Sequence, residues 1–247
     1  MLARFQALLG TAVRERRCPT AAAAGQLDDT PGSDLSAKER LFFSRLETCG
    51  GFWFTVGVQR SWCELRTWNA ARAVLQFLPV ETRRGLIEDW IGQGGGTASF
   101  FATEADQLLE FIAARLPERS RAWTICRIEQ AVQRARQAPV GPRALEGGAE
   151  EIGSDMTLVR SKAATLLDVE PLDVPEAELS SGAGVGIPVL FAPGIGGFCR
   201  EATEAEVRIW QSAESPVRVA TLVQAGHATS DLRTLVAAGV LESHESP

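Results

Sequence analysis

The sequence predicts an α+β protein: an all-α helical bundle over residues 1–140, a linker over 141–154, and a small winged-helix-like domain over 155–247. Three observations carry this. Up to residue 137 every apolar pattern repeats at the helical period. A stretch rich in Pro, Gly and Arg then breaks the pattern. Beyond it come short apolar runs of strand length, followed by three short helix signatures. An apolar content of 45% and a charged content of 23% describe a chain able to bury a core.

Residues 2–17 put Phe5, Leu8, Leu9, Ala12 and Arg16 on one helical face. A loop over 18–34 leads to Ser36 and Glu39, a capping box with Leu41, Phe42, Phe43 and Leu46 behind it. Residues 52–78 hold the densest aromatic cluster: Phe52, Trp53, Phe54, Trp62, Trp68 and Phe77. Cys63, Ala70, Ala71, Val74 and Leu78 form one stripe there, and Leu65, Trp68 and Leu75 a second. A helix apolar over so wide an arc is covered on more than one side.

Pro79 starts a helix with Leu86, Ile87, Trp90 and Ile91 inward, and Gly92-Gln-Gly-Gly-Gly96 interrupts it. Thr103 can cap the next helix, which carries Ala105, Leu108, Leu109, Ile112 and Leu116 at core spacing until Pro117 stops it. The last helix of this half spans about 120–137, striped by Ile125, Ile128, Val132 and Ala135.

In the C-terminal half, 156–159 and 165–169 are compatible with strands, and the acidic, then Ser/Gly-rich run 170–186 reads as a mobile loop. Further strands are expected in the run Ile187-Pro-Val-Leu-Phe-Ala-Pro-Gly194 and at 198–202. Thr203 and Glu206 fit a capping box that opens a helix with Val207 and Trp210. Pro216 suits the first position of a second helix, where a missing N–H costs nothing. A Thr229-Ser-Asp cap opens a third, and Gly239 can take the left-handed conformation that ends it, before Val240 and Leu241.

Charge divides with the halves. Residues 1–154 carry 19 basic and 18 acidic groups, and residues 155–247 carry 6 basic and 13 acidic. A winged helix that reads DNA must neutralise phosphates, because counterion release supplies much of its affinity. The third helix offers one cation, Arg233, beside Asp231, so the charge argues against nucleic acid.

Two lysines stand against 23 arginines, a bias that fits a GC-rich coding sequence or a carboxylate-rich partner. Five scattered cysteines with no C-x-x-C suggest neither a disulfide framework nor a zinc knuckle, and two histidines are too few for a protein-built metal centre. The N-terminal apolar run is followed at once by Arg14-Glu-Arg-Arg17, an amphipathic helix instead of a signal peptide. No stretch approaches the roughly 20 apolar residues of a membrane span. The expectation is a cytoplasmic protein.

Candidate chemistry is sparse. The glycines at 92–96 could cradle a phosphate, but they follow a helix and lack Gly-Lys-Ser/Thr. Cys199 with His227 would need a third orienting group to act as a nucleophilic pair, and Cys199 among apolar neighbours reads as a structural thiol. Glu129 calls for an arginine mate if buried, with Arg66 and Arg72 as candidates. Trp62, Arg66, Trp68 and Arg72 are core or, since Trp and Arg enrich binding hot spots, a partner interface.

The run Trp123-Thr-Ile-Cys-Arg-Ile-Glu129-Gln-Ala131-Val-Gln-Arg-Ala135 after a helical half resembles a family described as DNA-binding proteins, and 189–241 resembles that family's second domain. Its divergent relatives are accessory subunits of multinuclear non-haem iron oxidative enzymes that make methanobactin-type and thiaglutamate-type products from ribosomal peptides. The C-terminal unit is also similar to the peptide recognition element of such pathways, in which an extended leader adds a strand and packs against the third helix. The resemblance implies a non-catalytic heterodimer subunit, with no cofactor in this chain and iron in the partner enzyme. It would bind a precursor peptide through Phe198, Cys199, Arg200, Asp231, Leu232 and Arg233, and present that peptide's cysteine for oxidation. A DNA-binding regulator of winged-helix type is the alternative.

Overall fold

A computed structural model describes residues 2–15, 37–46, 48–96, 101–138, 152–170 and 186–244. The protein is α+β: among the described residues, helices fill the first half, followed by two three-stranded antiparallel sheets and three short helices. It divides into two compact units, Met1–Glu104 and Ala105–Pro247. No helix among the described residues is long and apolar enough to cross a membrane.

The first unit holds α1 (Leu2–Glu15), α2 (Ala37–Leu46), α3 (Gly50–Ala70), α4 (Arg72–Phe77) and α5 (Val80–Gly92). The break between α3 and α4 falls at Ala71, whose φ of −133° leaves the helical region. Pro79 is the residue ahead of α5, with extended backbone. The core joins Ala12 and Val13 of α1 to Phe52, Val56 and Cys63 of α3 and Ile91 of α5, with Trp53 and Trp90 packed against it. Arg60 of α3 is buried and donates from Nη1 to the carbonyls of Val13 at 3.0 Å and Arg14 at 3.1 Å. It thus satisfies the end of α1, where carbonyls have no intrahelical partner. The proposed Ser36 cap and the 18–34 loop lie outside the described residues.

The second unit contains most of α6 (Phe101–Ala113), then α7 (Arg121–Gln137). Thr103 lies inside the first turn of α6 and not ahead of it. Ser120 caps α7, its Oγ accepting from the Trp123 N–H at 3.2 Å. The two helices are laced by polar side chains. Arg134 holds Asp106 through bonds of 2.6 and 3.1 Å, and the Gln130 amide donates to both Asp106 and Glu110.

Strands β2 (Thr165–Val169), β3 (Ile187–Phe191) and β4 (Cys199–Glu201) form one antiparallel sheet in that order. The connection over 171–185, expected as a mobile loop, and the linker over 139–151 lie outside the described residues. Alternation gives this sheet two buried faces. Leu190, Ala192 and Ala202 enter the main core, while Phe191 is buried on the other side, where α7 packs on β2 and β3.

The other sheet has β1 (Thr157–Arg160) between β5 (Val217–Arg218) and β6 (Leu241–Ser243). Around it lie α8 (Glu204–Ser212), α9 (Val219–Gln224) and α10 (Thr229–Ala237), which bury Ile209, Leu222, Leu232 and Leu235 in one cluster. Arg160 ties β1 to the end of α8 by donating to the Trp210 carbonyl at 2.6 Å.

Several terminators are where the sequence places them. The Thr203–Glu206 capping box is complete. Gly239, at φ +69°, closes α10, with Gly239 N–H donating to Val236 O and Val240 N–H to Leu235 O. Others are not. Pro216 precedes the two-residue strand β5, and α9 starts only at Val219, because Leu158 of β1 takes Val217 as its pairing partner. Helix α10 starts at Thr229 itself, behind Ala228, with no side-chain cap.

Candidate functional site

Strand β4 is short and sits at the edge of its sheet. Ala192 N–H donates to Phe198 O and Ala202 N–H to Pro188 O, at 3.1 and 2.7 Å. Between these bonds lies the Leu190–Arg200 pair. In an antiparallel ladder the backbone groups alternate, so 198, 200 and 202 face β3 while Cys199 and Glu201 aim their N–H and C=O outward. Among the described residues no strand lies on that outer side. The Glu201 carbonyl is partly taken, accepting from Arg200 Nη1 at 3.0 Å.

Arg200 is committed within the fold. Its guanidinium reaches the Glu206 carboxylate with two bonds, 2.8 Å from Nη1 and 2.5 Å from Nη2. Glu206 is buried and also accepts from the Thr203 N–H at 2.9 Å, closing the cap of α8. The hydrogen bonds from Arg200, aided by those from Thr203, hold the Glu206 carboxyl down to about 2 against the burial that opposes ionisation. The same contact raises Arg200 above the usual arginine value. One carboxylate therefore fastens the edge strand to α8. The capping box is visible in the sequence, but Glu206's second role is not, because nothing in the pattern says that Arg200 points back at it.

The other expected docking residues are dispersed. Phe198 does not begin the strand. It ends a 3-10 turn (Gly196–Phe198) in the left-handed region at φ +69°, with the Arg136 guanidinium 5.5 Å from its ring centre. Cys199 is exposed at the start of β4, contrary to the expectation of a thiol enclosed by apolar neighbours. Leu232 is fully buried and can act only by holding α10 in place. Arg233 is exposed, and Asp231 is half-buried beside His227 and Arg208 in a shallow groove of about 670 Å³.

In the helical unit Trp62, Arg66, Trp68 and Arg72 do not make one patch. Trp62 and Arg72 are exposed, whereas Trp68 lies half-buried with the Arg83 guanidinium 5.0 Å from its ring centre. Arg66 pairs with the buried Glu104 at 3.3 Å, and Glu129 is half-buried on α7. Glu104 also accepts the Gly96 N–H, so an internal carboxylate holds the amide that a phosphate would need. Gly96 sits at φ +79°, and a Cβ there would lie 2.8 Å from the Cys63 Cβ. The glycine run is thus a tight turn seated on α3.

Burial pushes the Cys126 thiol up to about 12 and raises Cys63 as well, so both are inert, and Cys126 Sγ donates to Leu109 O at 3.2 Å. Among the described residues no three His, Cys, Asp or Glu side chains are grouped so as to hold a metal ion.

No family model matches the chain, and no curated protein matches it.

Proposed function

We propose that this chain is a non-catalytic partner protein that binds a ribosomally made precursor peptide along β4 and presents the peptide's cysteine to an iron-dependent oxidative enzyme. The observation that carries the reading is the open edge of β4, where the backbone groups of Cys199 and Glu201 point outward. An extended peptide adding there gains main-chain hydrogen bonds in register, while side chains select it. A bidentate ion pair to α8 holds the strand in place, so little ordering is left for the peptide to induce.

The order α8, β5, α9, α10, β6, with β5 and β6 both pairing to β1, supports reading this part as winged-helix-like. DNA reading is the weaker use of such a unit here, because α10 carries Arg233 as its single cation next to Asp231. In the proposed role the iron and the oxidising chemistry belong to the enzyme. Because Arg200 is already bound to Glu206, an acidic leader would meet the exposed Arg233 instead.

A proline at Glu201 tests the docking edge. Its N–H faces away from β3, so proline there removes an outward donor and leaves the ladder intact. Precursor peptides from the chain's own gene neighbourhood, titrated calorimetrically, should bind the parent and lose affinity for Glu201→Pro at unchanged circular dichroism. Equal affinity for the two proteins would remove β4 as the docking edge.

A further inference from the structure

Helix α3 carries an apolar stripe that stays open in the structure. Phe54 is 74% exposed, Val58 37%, Trp62 58% and Leu65 49%. With Gly51, Thr55 and Ser61, which are also exposed, these residues share one face at spacings of three and four. A contiguous apolar face of this kind on a surface helix often marks a binding surface.

Two features say what covers it. The face is free of charge: between Gly50 and Leu65 the charged residues are Arg60 and Glu64, bonded to each other at 3.0 Å, with Arg60 buried. A strongly charged partner surface would be desolvated there without a mate. The residues at mirrored positions about Val58 are also complementary in size and type: Phe54 with Trp62, Gly51 with Leu65, and Thr55 with Ser61.

We propose that α3 is the interface of a homodimer in which two copies pair antiparallel about a twofold axis at Val58. Phe54 then faces Trp62 of the second copy, Gly51 faces Leu65, Thr55 faces Ser61, and Val58 meets its own equivalent. Each pair suits its members: ring against ring, a large side chain over a missing one, hydroxyl beside hydroxyl. The contact is isologous, as closed twofold pairing requires. A parallel pairing would stack Trp62 on Trp62 and leave a void at Gly51, so shape selects the antiparallel arrangement. Helix dipoles favour the same choice.

The area is adequate. With aromatic rings counted at their usual size, the four apolar side chains expose roughly 400 Å². That is most of the apolar share of the ~800 Å² per partner that a standard interface buries. The inference rests on the helical unit alone and stands whether or not β4 binds a peptide.

Sedimentation of the full chain, with the Val58→Arg variant beside it, tests the pairing. At micromolar concentration the parent should sediment as a dimer of the 26.6 kDa chain. Val58→Arg brings two like charges together on the axis and should weaken association ~100-fold or more. Its helix content should not change, since Val58 is a surface position. In a variant carrying both Thr55→Cys and Ser61→Cys, the thiol at position 55 of one copy should cross-link to that at position 61 of the other, read by mass spectrometry of the joined peptides. A monomeric parent, an arginine variant that stays dimeric, or cross-links joining only like positions would overturn the assignment. If the parent is monomeric and Val58→Arg instead loses an iron enzyme, the stripe is that enzyme's seat and not a second copy's.

Discussion

Replacing Glu206 by Gln should loosen β4 from α8 near neutral pH and matter progressively less in acid. Gln keeps the length and polarity that the capping box needs, so the variant removes mainly the charge. The Glu206 carboxyl lies at about 2 in the folded protein, against an ordinary value of 4.5. A depressed carboxyl stabilises the fold above its ordinary value, and this contribution is lost as pH falls from about 4.5 toward 2. Taken in full, the shift corresponds to ~3 kcal/mol. Solvent reaches the Arg200 side of the pair, where the side chain is 36% exposed, so screening reduces the expected loss to about 1.5 kcal/mol. Amide exchange over 199–212, expressed as protection factors at a series of pH values, reads the effect locally. The gap between parent and variant should be roughly tenfold at pH 7 and narrow below 4.5. Equal protection at pH 7, or a gap that does not change with pH, would refute the electrostatic coupling of β4 to α8.

Gly96→Ala forces a side chain into a left-handed backbone 2.8 Å from Cys63 and should cost about 2 kcal/mol or more in thermal unfolding, whereas Gly92→Ala, with nothing within 4 Å, should be nearly neutral. A thiol reagent at pH 8 should modify the exposed Cys49 and Cys199 quickly and the buried Cys63 and Cys126 only on unfolding, as followed by mass spectrometry. Metal analysis of the chain purified without partners should find no stoichiometric iron or zinc; about one tightly held ion per chain would contradict the accessory-subunit proposal.

Much of the fold is legible because local chemistry decides it. The helical periods of the first half, the strands at 165–169 and 187–191, the Thr203–Glu206 box and the Gly239 stop all depend on residues within a turn of each other. The misplaced elements depend on distant partners. Pro216 has the right backbone angle for a helix start, yet Val217 is drawn into pairing with Leu158, far away in sequence. Phe198 looks like a strand residue by type, but the turn from Ile195 forces it to φ +69°.

The site is less legible for the same reason. The arginine bias fits a GC-rich coding sequence or a carboxylate-rich partner, and several of these forks are used internally. Arg60 and Arg160 satisfy helix ends, and Arg66, Arg134 and Arg200 hold Glu104, Asp106 and Glu206. Trp62 and Trp68 lie close in sequence, but only Trp62 belongs to the open stripe with Phe54, Val58 and Leu65. Spacing on a helix gives relative faces, while packing decides which face remains open.

A peptide that adds as a strand to β4 is reported directly by the outward amides of that strand. In the free protein the N–H groups of Cys199 and Glu201 face away from β3, while that of Arg200 belongs to the ladder. Residue-resolved amide exchange, measured with and without a saturating precursor peptide, should show new protection at Cys199 and Glu201 and little change at Arg200. Saturating peptide that leaves Cys199 and Glu201 exchanging at their free rates would contradict strand addition at this edge.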